Sequence, residues 1–173
     1  MSEPHGFCPA KRALTKLCVI LYVYTSIVHM AGTQIPTLVC MCSNVRRAAR
    51  SLTQLYQEAM RSTGLSSSQF TILQVLSRTG EIMQGRLGEI LAMDSTTLTR
   101  TLAIMLRGGW IRERRGEDRR ERWLRLSESG EAQLKRALPA WGEAQARVRG
   151  RIGEEKWKRL FELTTELAGI EAE

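Results

Sequence analysis

Asp94-Ser-Thr-Thr-Leu-Thr-Arg-Thr-Leu-Ala-Ile-Met-Leu-Arg-Gly-Gly-Trp-Ile-Arg-Glu-Arg-Arg-Gly-Glu-Asp-Arg-Arg-Glu-Arg-Trp-Leu-Arg-Leu126 is the stretch on which the reading of this 173-residue chain turns. Asp94 is a helix cap: its carboxylate accepts the first free backbone N–H groups and favours the positive end of the helix dipole. Leu98, Leu102, Met105 and Leu106 recur at helical spacing and form a core-facing side. The opposite side of the leading turns carries Ser95, Thr96, Thr97, Thr99 and Arg100. Short hydroxyls and a forked cationic donor are the side chains that reach base edges and phosphates in a major groove. A helix start that merely favours Ser and Thr as caps is the plainer alternative. Gly108-Gly109 supplies a left-handed stop. Two short strands, about Trp110–Arg114 and Arg122–Leu126, then flank the arginine-rich turn Arg115-Gly-Glu-Asp-Arg-Arg-Glu.

Working backwards, Arg86-Leu-Gly-Glu-Ile-Leu-Ala forms a short helix immediately before this unit. Helix, turn, polar-edged helix and basic hairpin, in that order, describe a winged helix-turn-helix. Arg119 and Arg120 at the hairpin tip, with Arg122 beside them, are placed to meet a DNA backbone or to enter a minor groove. Asp118 would be repelled by phosphate, so its expected role is structural, tightening the turn or pairing with an arginine. Upstream, residues 43–62 show helical period, with Ser43 or Asn44 as the cap. Ser66-Ser-Ser-Gln opens a further helix with the residues of a capping box. Glu81-Ile-Met-Gln reads as an extended connector. Downstream, a long helix from Ser127, bent or interrupted near Pro139 and broken at Gly150 and Gly153, leads to a last helix. That last helix carries Trp157, Leu160, Phe161, Leu163, Leu167 and Ile170. The terminal helices hold more apolar surface than a core of about 70 residues needs, which points to a homodimer built from both chain ends. The fold class is therefore mainly α with a small β-wing.

The charge supports the same reading. The net charge is +8, and residues 107–125 alone contribute eight Arg against four acids, while residues 51–106 balance four against four. A basic patch on one element fits a polyanion partner, here double-stranded DNA. Both histidines, His5 and His29, precede residue 30. There is no phosphate-cradling Gly-x-x-x-x-Gly-Lys and no His-Glu-x-x-His, so the chain is read as a non-enzyme with no cofactor and no metal. All four cysteines (Cys8, Cys18, Cys40, Cys42) precede residue 43, so no disulfide framework is expected, which suits a reducing cytoplasm. Residues 1–39 read as an extension. Lys11, Arg12 and Lys16 precede an apolar run over 17–28, too short for a comfortable membrane span, and Met30 is a plausible natural start. Two other functions stay open: a helical protein–protein module whose basic hairpin binds an acidic partner, and a membrane-tethered regulator.

Leu91-Ala-Met-Asp-Ser-Thr-Thr-Leu-Thr-Arg, the Arg107-Gly-Gly-Trp-Ile junction, Gly116-Glu-Asp-Arg-Arg and Leu126-Ser-Glu-Ser-Gly together resemble MarR-family transcriptional regulators over about residues 40–170. The resemblance implies one domain over 40–173, with a winged lobe at about 65–126 and dimerisation helices at about 43–62 and 127–170. It also implies repression from a palindromic operator, relieved by a small phenolic or lipophilic effector or by an oxidant. Asp118 and Arg120 match the family's Asp-x-Arg wing motif. Cys40 and Cys42 lie near the reactive cysteine of oxidant-sensing members. A thiol at a helix N-terminus near Arg46 and Arg47 is open to activation, and two small semi-apolar residues at a dimer interface are the alternative.

Overall fold

The computed structural model describes residues 39–118 and 120–170. The apolar run over 17–28, Met30, Cys8, Cys18 and both histidines fall outside them, as does Arg119. The chain divides into two compact units, Met1–Leu52 and Thr53–Glu173, with the boundary inside helix α1 (Met41–Met60). In the first unit, α1 starts at Met41, three or four residues earlier than a cap at Ser43 or Asn44 implies. The Asn44 N–H bonds the Cys40 carbonyl at 3.1 Å, so Cys40, rather than Ser43 or Asn44, stands at the cap.

In the second unit α1 ends at Met60, which is buried, and a 3₁₀ turn over Arg61–Thr63 leads to Gly64 at φ 74°. Helix α2 (Ser67–Thr79) opens on a reciprocal cap: the Ser66 hydroxyl accepts the Gln69 N–H, and the Gln69 side chain accepts the Ser66 N–H. Phe70, Ile72, Leu73 and Leu76 bury one side of it. Strand β1 (Glu81–Met83) follows, then α3 (Gln84–Leu91), α4 (Ser95–Arg107), β2 (Ile111–Arg115), β3 (Arg122–Leu126), α5 (Glu128–Ile152) and α6 (Glu154–Ala168).

Two expectations are corrected. The β2–β3 hairpin is present, but Glu81-Ile-Met is more than a connector: as β1 it pairs antiparallel with β3 and makes a three-stranded sheet in the order β1-β3-β2. Ile82 sits opposite Leu124, and both point into the core with Ile111, which the Glu81-Ile-Met alternation permits. The long helix is also unbroken at Pro139 and Gly150 and stops only at Gly153. Proline removes one backbone donor, and packing on either side of Pro139 offsets that loss. Leu134 and Ala137 are buried before Pro139, Ala144 and Val148 after it, and Trp141 meets the Phe70 ring at 5.9 Å.

Helix α6 buries none of its residues. Leu160, Phe161, Leu163 and Leu167 remain 37–54% exposed along it, and Ile170 beyond it is 71% exposed. Among the described residues no helix is long and apolar enough to cross a membrane, and no cluster of His, Cys, Asp or Glu is arranged to hold a metal.

Candidate nucleic-acid interface

Helices α3 and α4 are joined by a turn in which Ala92 adopts a left-handed conformation, φ 48° and ψ 41°. That region is costly for a side chain, so the surrounding bonds must hold it. The Met93 N–H bonds the Gly88 carbonyl at 3.0 Å, and the Ala92 N–H bonds that of Glu89 at 3.1 Å. Gly88 sits at a close approach: a Cβ there would lie 3.3 Å from Leu98 Cδ2 and 3.6 Å from the Met93 carbonyl oxygen. The two helices therefore pack tightly at their junction.

Asp94 caps α4, its Oδ1 accepting the Thr97 N–H at 2.9 Å. Hydrogen bonding from Thr97 holds the Asp94 carboxyl below the usual aspartate range. A depressed folded pKa means that the cap's contribution is present above the unfolded pKa and lost as pH falls through the folded value. Asp94→Ala should therefore lower the thermal midpoint at pH 7, and the gap to the unaltered protein should close as pH drops below about 4. A gap independent of pH would remove the charged cap from this account. Leu98, Leu102 and Met105 anchor α4 in the core with at most 3% exposure. Ser95, Thr96, Thr97, Thr99 and Arg100 all lie exposed on the other side.

The wing's arginines sort into different roles. Arg114 donates through Nε to Glu81 Oε1 at 2.9 Å, and its terminal nitrogen pairs with Glu81 Oε2. On the way it crosses the Trp123 ring, 5.1 Å from the centroid. It is thus a strap from β2 over β3 to β1, and it holds the Glu81 carboxyl below its ordinary range. Arg122 Nε donates to Glu113 Oε1 at 3.1 Å, so this predicted contact residue also ties the two wing strands together. At the tip, Asp118 Oδ1 accepts the Arg120 N–H at 2.8 Å and its carbonyl accepts the Glu121 N–H at 2.9 Å, closing the turn. Arg120 stays exposed, on the same side as a cleft of about 690 Å³ between α3, the start of α4 and the wing. Met83, Gln84, Met93, Leu98, Arg120 and Arg122 are among its lining residues.

This geometry has counterparts. The MarR family model matches residues 65–121. The M. tuberculosis transcriptional regulator MosR, solved in complex with DNA, is 36% identical, with a TM-score of 0.67 over 75% of this chain and 93% of its own. The chain belongs to the MarR family. An uncharacterised HTH-type transcriptional regulator of Bacillus subtilis, YwoH, is 31% identical over 87 residues; the match spans 64% of that relative's length. A cysteine-to-serine mutant of E. coli MarR, solved with operator DNA, shares the fold with a TM-score of 0.67 at 18% identity, over 73% of this chain and 92% of its own. As a MarR-family chain, the protein is a transcriptional regulator by fold and kinship.

In the other unit, Cys40 and Cys42 are both exposed. The Ser43 backbone N–H, then its hydroxyl, hold the Cys40 thiol below the ordinary range, with a smaller contribution from the Arg46 charge. Sequence reading missed Glu81 and Gln84 as partners of the interface. Gln84 Nε2 donates to Thr99 Oγ1 at 3.3 Å, linking the start of α3 to the outward side of α4. Fifteen residues separate the pair, and no local periodicity signals it.

Proposed function

We propose that this regulator binds double-stranded DNA sequence-specifically as a homodimer on a palindromic operator. It would act as a repressor, in the cytoplasm, and release DNA on meeting an effector. The observation that carries the reading is one helix with two faces: Leu98, Leu102 and Met105 buried, Ser95 to Arg100 otherwise exposed, with the Arg120 wing tip alongside. Hydroxyls and arginine supply base and phosphate contacts, and an arginine at a wing tip suits a narrow minor groove. The open apolar side of α6 supports pairing with a second copy. A twofold pair sets its two reading helices about 34 Å apart, one turn of DNA. The cleft between α3, α4 and the wing falls within the usual volume of small-molecule sites. A lipophilic or phenolic effector bound there would stand between the two DNA-contacting elements.

Selection from a randomised duplex library tests the reading. A palindrome should be enriched, and its affinity should fall about a thousandfold or more between 50 and 200 mM salt as phosphate counterions are released. An unenriched library, or affinity indifferent to salt, would favour the alternative of a basic hairpin docking on an acidic protein.

Cys40 and Cys42 are proposed as an oxidant trigger. The thiolate sulfur attacks one peroxide oxygen, giving a sulfenic acid and releasing hydroxide. Peroxide should then free DNA from the unaltered protein and not from the Cys40→Ser/Cys42→Ser variant. Equal release from both eliminates the trigger.

A further inference from the structure

We propose that Gln84 sets the hydrogen-bonding polarity of Thr99, so that this hydroxyl reads its base partner as a donor. The inference rests on the DNA-binding reading above and adds to it a positioning residue and a class of base. Gln84 is the first residue of α3, and its Nε2 donates across to Thr99 Oγ1 on the exposed side of α4. Its Oε1 is buried without a hydrogen-bond partner. Turning the amide over would place an NH₂ with two donors in that closed position, a heavier loss than one unpaired acceptor, so the orientation with nitrogen toward Thr99 is the favoured one.

A threonine hydroxyl has one hydrogen to give and two lone pairs. Thr101, two residues on, spends its hydrogen on the Thr97 carbonyl at 2.9 Å, the usual fate of a hydroxyl inside a helix. Thr99 is instead held from the side by a donor, which occupies one lone pair and leaves the hydrogen to point outward. In a major groove that hydrogen pairs with guanine O6 or N7, thymine O4 or adenine N7, whereas the cytosine edge offers only the N4 hydrogens. Gln84→Glu reverses the arrangement: a carboxylate takes the Thr99 hydrogen, and only lone pairs then face the groove.

The experiment is selection from a randomised duplex library with four proteins: unaltered, Gln84→Glu, Gln84→Leu and Thr99→Val. The unaltered protein should disfavour cytosine at one base position in each half-site by about three- to tenfold, the range of one net hydrogen bond. Thr99→Val should flatten that position alone. Gln84→Leu should weaken that discrimination, and Gln84→Glu should move the preference toward cytosine, with no such move when Thr99→Val is also present. Enrichment retained at the other positions reports that each variant is folded. If the Gln84 variants lose affinity for every sequence alike, Gln84 is only a staple between α3 and α4 and the inference falls. It falls equally if the preference at the Thr99 position is unchanged. A library left unenriched by the unaltered protein overturns the DNA-binding reading itself, which the variants' result alone cannot do.

Discussion

Gly130→Ala should destabilise the fold by about 3 kcal/mol, the upper part of the range for overpacking a closed site. Gly130 lies in the first turn of α5, where a Cβ would stand 2.0 Å from the Trp110 carbonyl oxygen and 2.9 Å from Leu126 Cδ1. The nearest obstacle is backbone, which cannot rotate aside as a side-chain tip can. Three hydrogen bonds hold the two segments together there. The Ser127 N–H bonds the Trp110 carbonyl at 3.1 Å, and the Ser127 and Ser129 hydroxyls both donate to the Gly109 carbonyl at 2.6 Å. Relief of the clash has to break this clamp or shift the start of β2. For a chain of this size the thermal midpoint should drop by roughly 10 °C. Gly142→Ala is the matched control: it lies in the same helix with nothing within 4 Å of its new methyl group, so it should be neutral or mildly stabilising. Equal melting curves for the two variants would contradict the close approach of α5 to Trp110.

Arg120→Ala should weaken operator binding about ten- to a hundredfold with little change in thermal stability. Its side chain is exposed at a tip whose shape comes from the Asp118 carboxylate and carbonyl, both of which bond backbone N–H groups. Truncating Arg120 thus removes charge and leaves the turn. Arg114→Ala provides the contrast: it releases Glu81 and uncovers Trp123, so its effect should appear in melting as well as in binding. Titration of labelled operator duplex, with a parallel melting curve, separates the two cases. Undiminished affinity for Arg120→Ala would strike the wing from the proposed mode of binding.

What could be read without coordinates was mostly local in sequence. The Ser66–Gln69 box and the Asp94 cap involve partners three residues apart, and the buried side of α4 follows from helical period alone. Features set by distant partners were not legible. Glu81-Ile-Met looked like a connector because its strand partner, β3, lies some forty residues on. The hairpin's arginines looked alike in sequence, yet Glu81 and Glu113 claim Arg114 and Arg122 across strands. Pro139 signalled a break by its own chemistry, and the packing of Leu134, Ala137, Ala144 and Val148 overrode it. The left-handed turn at Ala92 carried no glycine to announce it.

The central place of β3 in the sheet has a mechanical consequence. A hairpin joined to its lobe only at the base can swing as a free flap. Here β3 is laced to β1 along its other edge, and β1 runs straight into Gln84 and the start of α3. Pulling on the wing therefore pulls on the helix pair that carries Thr99. The wing and α3–α4 are thereby tied into one head, and the release proposed above would have to move that head as a whole.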